Sequence, residues 1–304
     1  MSATAIEAVQ QAGSKPSALI VRDWVREHRL GLLITAGLFL LLYGLNFVKL
    51  ASDWWNDPNY SHGFLVPVAF FWMVWQKREE LGNAPRVPQT WGLGVVILGL
   101  LQLIAGTWGA ENFVAHSSML VVLTGMTLFL FGVPVMRLIL FPVAWLVFMI
   151  PLPSIIFYSV TFPLQLVASR LAGGILDLLR VPNVIEGNVI YLANFTAGVV
   201  EACSGIRSLI SLLAFAVLAG HFLSMKTWAR WALAISAIPI ALGVNSMRVA
   251  ITGLLGNYLG SEWAEGFFHT FSGWLLFVGA LVAMFGVAQL LRRLNGVAPT
   301  GRAA

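Results

Sequence analysis

A thiol, an arginine and a histidine punctuate three successive apolar stretches of this 304-residue chain: Cys203 in VVEACSGIRSLISLLAF, Arg248 in ALGVNSMRVAITGLLG and His269 in EGFFHTFSGW. Cys203 is the only cysteine, so no intramolecular disulfide can form and the thiol is either packing or chemistry. A thiol with a base and a cation is the residue set of thiol acyl transfer. The thiolate attacks a carbonyl carbon, the imidazole handles the proton, and the guanidinium meets the charge developing on oxygen. Arg207, four residues after Cys203, and Asn245, three before Arg248, are candidates to orient that set. Each residue also has a plain reading. A lone cysteine in a membrane helix is commonly a small apolar filler. Arg248 alone could snorkel to headgroups or pair with Glu262 or Glu265, and His269 alone could be an interfacial histidine.

These residues sit in a chain that is 59% hydrophobic and 10% charged, with a mean hydropathy of +0.84. That composition excludes an ordinary soluble domain and describes an all-α polytopic membrane protein. The net charge of +5 fits basic cytoplasmic loops, not a nucleic-acid partner. The first apolar run, 30–48, is too long for a signal-peptide core and has no small-residue cleavage site after it, so it reads as a retained span. Apolar stretches at 30–48, 60–75, 87–110, 112–136, 138–158, 204–225, 228–247 and 268–291 give about eight transmembrane helices. Between the fifth and sixth, FPLQLVASRLAGGILDLLRVPN carries Arg170, Asp177 and Arg180 at helical spacing, the pattern of an interfacial amphipathic helix. NVIEGNVIYLANFTAGVVEA follows, rich in β-formers with Gly and Asn at turn positions, and is expected as a short β-hairpin. The expected organisation is a cytoplasmic segment over 1–29, a transmembrane domain over 30–291 and a cytoplasmic tail over 292–304.

Positive residues set the orientation. Lys15, Arg22, Arg26 and Arg29, then Lys77, Arg78 and Arg86, then Arg137, Lys226, Arg230, Arg292, Arg293 and Arg302 all fall on one side when both termini are cytoplasmic. A helix rises about 1.5 Å per residue, so Cys203, 23 residues before Lys226, lies roughly 35 Å from the cytoplasmic edge. The same ruler puts Arg248 at about 27 Å and His269 at roughly 35 Å. The three residues share one level near the outer face. A thiol at a helix N-terminus, with Arg207 one turn on, has its thiolate favoured by the unsatisfied N–H groups and the positive dipole end.

EACSGIRS, NSMRV and FFHTFSGW, in that order on successive helix ends, resemble the Cys, Arg and His motifs of exosortases; DPNYSHGFLVP and FMIPLP also resemble that family, so the likeness runs from about residue 30 to 290. The resemblance implies a thiol transpeptidase or protease in a Gram-negative inner membrane, with its site at the periplasmic face. Its substrates would be secreted proteins ending in a Pro-Glu-Pro motif, a transmembrane helix and a basic cluster, and its setting exopolysaccharide production. Carried over by position, Cys203 is the thioester-forming nucleophile, Arg248 stabilises the oxyanion or assists proton transfer, and His269 is the base or acid. Which of the last two moves the proton stays open at this level. Tyr60 and His62 are candidates for the mouth of the site or for loop packing, and the soluble domain appended in some relatives is expected to be absent.

Other function classes make different demands. A polysaccharide-linked transporter needs polar residues at the bilayer midplane or paired broken helices, whereas here the strongest polar residues sit at the outer edge. An assembly subunit leaves Cys203 idle, and a membrane acyltransferase takes its acyl group from lipid or coenzyme. The histidines lack ligand spacing with one another or with acidic residues, so neither a metal site nor a cofactor is expected, while membrane lipids are implied partners. The orientation is checked by reporter fusions at Asn188: a periplasm-dependent reporter is expected to be active there, and activity only of a cytoplasmic reporter overturns the assignment.

Overall fold

The computed structural model describes residues 20–199, 205–223, 225–264 and 267–294, and of these the side chains of 267–270 are not described. The chain divides into two compact units, Met1–Pro151 and Leu152–Ala304.

In the first unit, α1 (Val21–Glu27) leads into α2 (Arg29–Asn56). A 3-10 segment, Pro58–Phe64, then precedes α3 (Leu65–Gln76), and α4 (Arg78–Asn83) follows. Next come α5 (Trp91–Trp108), α6 (Asn112–Leu130), α7 (Val133–Trp145) and a 3-10 turn, Leu146–Met149. α5 and α6 form the tightest pair. Gly92, Gly99 and Gly106 recur every seventh residue of α5, and a Cβ on any of them would run into the α6 backbone, the small-residue packing that membrane helices use. The apolar run expected at 112–136 ends at Leu130 because Gly132 takes φ +92°, a conformation open to glycine but strained for L-residues. The chain restarts there as α7.

In the second unit, α8 (Ser154–Leu178) is followed by β1 (Asn183–Glu186), β2 (Val189–Leu192) and β3 (Thr196–Gly198), an antiparallel sheet in the order β1-β2-β3. α9 (Ile206–Phe222), α10 (Thr227–Leu259), α11 (Ser261–Ala264) and α12 (Phe267–Leu294) complete it. Among the described residues six helices are long and apolar enough to cross a membrane: α2, α5, α6, α8, α10 and, over Phe271–Leu294, α12. Shorter apolar helices cover Val133–Met149 and Ile206–Phe222. This is an all-α polytopic membrane protein carrying one small sheet.

The sequence reading and the structure also part company around α8 and the sheet. The run expected at 138–158 breaks at 150–153, where Pro151 and Pro153 cannot donate to a helical ladder. The amphipathic stretch is thereby not a separate helix but most of α8, whose buried face carries Thr161, Gln165 and Ser169 while Ile155, Ile156 and Phe162 are exposed. The hairpin gains a third strand, paired Val189↔Gly198 to Tyr191↔Thr196.

α10 organises this unit. Its 33 residues give about 50 Å of helix, against a hydrocarbon core of about 30 Å. Over the first half, Ala229, Leu233, Ala237 and Ala241 form a stripe at four-residue spacing that packs with Leu212 and Ala216 of α9 and Ala280, Met284 and Ala288 of α12. Over the second half, Val249 and Ala250 join Ala168, Ala172 and Leu176 of α8 and Ile190 and Ala197 of the sheet. The β2–β3 turn is tied to the far end of α10, with the Asn194 N–H donating to Asn257 Oδ1 at 3.0 Å. Asn257→Ala removes that acceptor from a nearly buried site, at a cost of about 1–3 kcal/mol. Amide exchange over 192–198 is expected to accelerate while that over α12 is unchanged.

Candidate active site

Between the two apolar clusters, α10 presents a polar turn. Asn245 and Ser246 are buried, at 4% and 1% exposure, and Arg248 is half-buried with its Nε shielded from solvent. Ser246 folds back on its own helix, donating to the Leu242 carbonyl at 2.7 Å. Asn245 and Arg248 face outward from that helix toward its neighbours, and each meets a glycine.

Gly205 is the N-cap of α9 in a left-handed conformation, φ +79°, which an L side chain there would strain. A Cβ added to it would lie 3.1 Å from Asn245 Cβ and 3.4 Å from Asn245 Nδ2. The start of α9 is therefore seated on Asn245. On the other side, a Cβ added to Gly273 of α12 would lie 3.3 Å from Arg248 Nη1, so the guanidinium rests over the glycine one helical turn after His269. The backbone at His269 belongs to the first turn of α12; its side chain is outside the description. Arg207, the second residue of α9, is half-buried with a shielded Nε.

Cys203 lies outside the described residues, as does the expectation that it occupies a first helical turn; α9 begins three residues later, at Ile206. In sequence it stands two residues before Gly205. The described residues on either side of it, Val199 and Gly205, are both held by contacts. Before it, the buried Val199 donates its N–H to the Asn188 carbonyl at 2.8 Å and accepts from Asn188 Nδ2 at 3.0 Å. The same Asn188 amide reaches Gln165 Oε1 of α8 at 3.4 Å. After it stands the Gly205–Asn245 contact. Asn188 and Gln165 were not singled out from sequence; an Asn following Gly at a hairpin turn looks like ordinary turn chemistry.

The structure thus brings together α9, α10 and α12, which carry Arg207, Asn245, Arg248 and the backbone of His269, with Asn245 and Arg248 between them. A guanidinium fixed there can direct planar donors at an oxyanion. Among the described residues no group of three His, Cys, Asp or Glu could hold a metal ion.

Tyr60 and His62 belong to the first unit. Tyr60 is 8% exposed, and His62 Nε2 lies 3.2 Å from the Phe148 carbonyl. Trp54 Nε1 donates to the Met149 carbonyl at 2.8 Å and Trp145 Nε1 to the Val66 carbonyl at 3.2 Å. DPNYSHGFLVP and FMIPLP, far apart in sequence, are therefore bonded to each other, and both side chains pack that junction.

Gly273→Leu should displace the Arg248 guanidinium without touching the apolar stripe below it. The expected outcome is a loss of activity comparable to that of Arg248→Ala, with a melting temperature in detergent near that of the unmodified protein. Activity left intact would show that the guanidinium does not need this seat.

No curated protein and no solved structure matches the chain. A sequence model described as transmembrane exosortase (Exosortase_EpsH) matches residues 54–286. That span holds the bonded loops of the first unit and every element around the polar turn of α10. The chain belongs to the transmembrane exosortase family, whose membership supports a membrane transpeptidase role.

Proposed function

We propose that this protein is a membrane-embedded cysteine transpeptidase or protease acting on secreted proteins that end in a Pro-Glu-Pro motif, a transmembrane helix and a basic tail. It works at the periplasmic face of a bacterial inner membrane, with both termini cytoplasmic, in the service of exopolysaccharide production. The observation that carries this reading is the polar turn of α10, seated against Gly205, two residues from Cys203, and against Gly273, one turn from His269.

The Cys203 thiolate attacks the scissile carbonyl carbon, and the tetrahedral oxyanion faces Arg248. Collapse breaks the C–N bond and leaves a thioester on Cys203, while His269 protonates the departing amine. An acceptor nucleophile, deprotonated by His269, then attacks the thioester and frees the thiolate. An arginine stays protonated in proteins, so the histidine is assigned the proton and the arginine the charge. Arg207, at the start of α9, adds positive potential that favours the thiolate. Membrane lipids and the substrate's own helix are the other partners.

Co-expression with a tagged substrate of this class, followed by mass spectrometry of its new C-terminus, tests the reaction and identifies the acceptor. Cys203→Ala is expected to abolish processing; processing that survives would favour an assembly subunit with an idle thiol. Arg248→Lys is expected to lose a factor of about 100 to 1,000 in rate per folded protein, because a point charge does not reproduce a planar pair of donors. A Lys variant near the unmodified rate would remove Arg248 from the reacting set.

A further inference from the structure

Among the described residues the outer edge of β3 is unpaired, and β3 ends five residues before Cys203 in sequence. The phase of the β2–β3 ladder shows which groups lie on that edge. The Leu192 N–H donates to the Phe195 carbonyl and the Val199 N–H to the Asn188 carbonyl, so the bonded pairs are 188/199, 190/197 and 192/195. Thr196 and Gly198 occupy the alternate positions, opposite Tyr191 and Val189. Their N–H and C=O groups therefore point away from β2. Both residues are exposed while Ala197 between them is buried in the cluster with α8 and α10. Among the described residues no backbone or side-chain group bonds to that edge.

Natural sheets guard such edges with charge, proline or a bulge, or by keeping the strand very short, and Thr-Ala-Gly has only the last of these. Three residues are also too few to hold a second folded copy, yet they suffice to align a chain for one reaction. Only four residues separate Gly198 from Cys203 in sequence.

We propose that the substrate polypeptide binds as an added β-strand on the free edge of β3, which sets the register of its scissile bond against Cys203. This rests on the transpeptidase reading above. In that reading β3 runs toward the membrane, and so does a substrate whose transmembrane helix follows the cleavage point, so the addition is parallel. One substrate residue then gives its N–H to the Thr196 carbonyl and accepts from the Gly198 N–H. The N–H of each immediate neighbour turns away from the sheet. Such an edge reads peptide N–H groups at every second residue and is indifferent to those between. A proline, which has no N–H to give, is tolerated at the intervening positions, so a Pro-Glu-Pro segment fits with Glu in the bonded place.

The test uses the full chain in lipid nanodiscs and a synthetic substrate carrying the Pro-Glu-Pro segment and its transmembrane helix. Single backbone N-methyl groups are placed in turn at its non-proline residues. Methylation at Glu and at the second residue beyond it is expected to raise KM about 3- to 10-fold each, the value of one lost hydrogen bond. Methylation at the third residue beyond Glu, which like the two prolines takes an unbonded place, should leave KM unchanged. On the protein, Gly198→Pro removes only an outward N–H and follows a residue already in a strand, so it should raise KM by a similar factor, whereas Gly198→Ala, which keeps the N–H, should not. Because the scan uses unaltered protein, it stands even if the proline variant fails to fold. Cleavage with a flat or aperiodic scan overturns strand addition and leaves the transpeptidase reading standing. No cleavage of any substrate overturns both. An unchanged scan, with Gly198→Pro converting a dimer to monomer, would assign the edge to a second copy and overturn substrate binding there.

Discussion

Seating the polar turn of α10 is the constraint on which the second unit depends. An arginine and an asparagine in the middle of a membrane helix are expensive wherever lipid surrounds them, and here they are accommodated because the N-cap of α9 and the first turns of α12 present glycine at the contact. Register is what makes that possible. A slide of one turn, about 5.4 Å, would carry Arg248 toward the alanine stripe or up against the sheet. The clusters above and below α10 oppose either movement, since each buries side chains at near-zero exposure. The polar layer is held in place by apolar packing on both sides of it, and the small side chains of the lower stripe allow α9, α10 and α12 to approach closely enough for the contacts to form.

The sheet extends this logic to the chain before Cys203. β2 and β3 pack their buried residues, Ile190 and Ala197, on α8 and α10. Val199, the last described residue before the thiol, is fixed to Asn188 in the turn between β1 and β2. The chain enters from a strand held by one cluster and leaves into a helix seated on the polar turn. The segment between is short, and both of its ends are defined by contacts to elements distant in sequence.

Much of this was legible in the sequence because helical rise is uniform. Counting residues from basic clusters put Arg248 level with the start of α12, which agrees with the contact between its guanidinium and Gly273, and a charge embedded in ALGVNSMRVAITGLLG marks itself; Cys203, counted to the same level, lies outside the described residues. The break at Pro151 and Pro153 was signalled by proline, although where α8 begins was not. α10 was expected to end at Met247, where Asn, Ser and Arg interrupt the apolar run, but it continues to Leu259. Polar residues do not stop a helix whose next turns are covered by other protein, and nothing local announces that cover. The third strand escaped notice because Thr196–Gly198 is too short to show alternation and is defined by its partner β2. The glycine seats of Asn245 and Arg248 were illegible for the same reason: a contact between helices belongs to no single window of sequence.

The length of α10 carries a consequence for the lipid. A helix of about 50 Å exceeds the hydrocarbon by about 20 Å, and an isolated span could take up the excess by tilting. α10 cannot tilt alone, because one half is packed into a three-helix bundle and the other into the sheet and α8. The bilayer must adapt to the protein. Its thickness therefore governs how far water descends along α10 toward Asn245 and Arg248, so that hydrophobic mismatch bears on the polar turn as well as on the span.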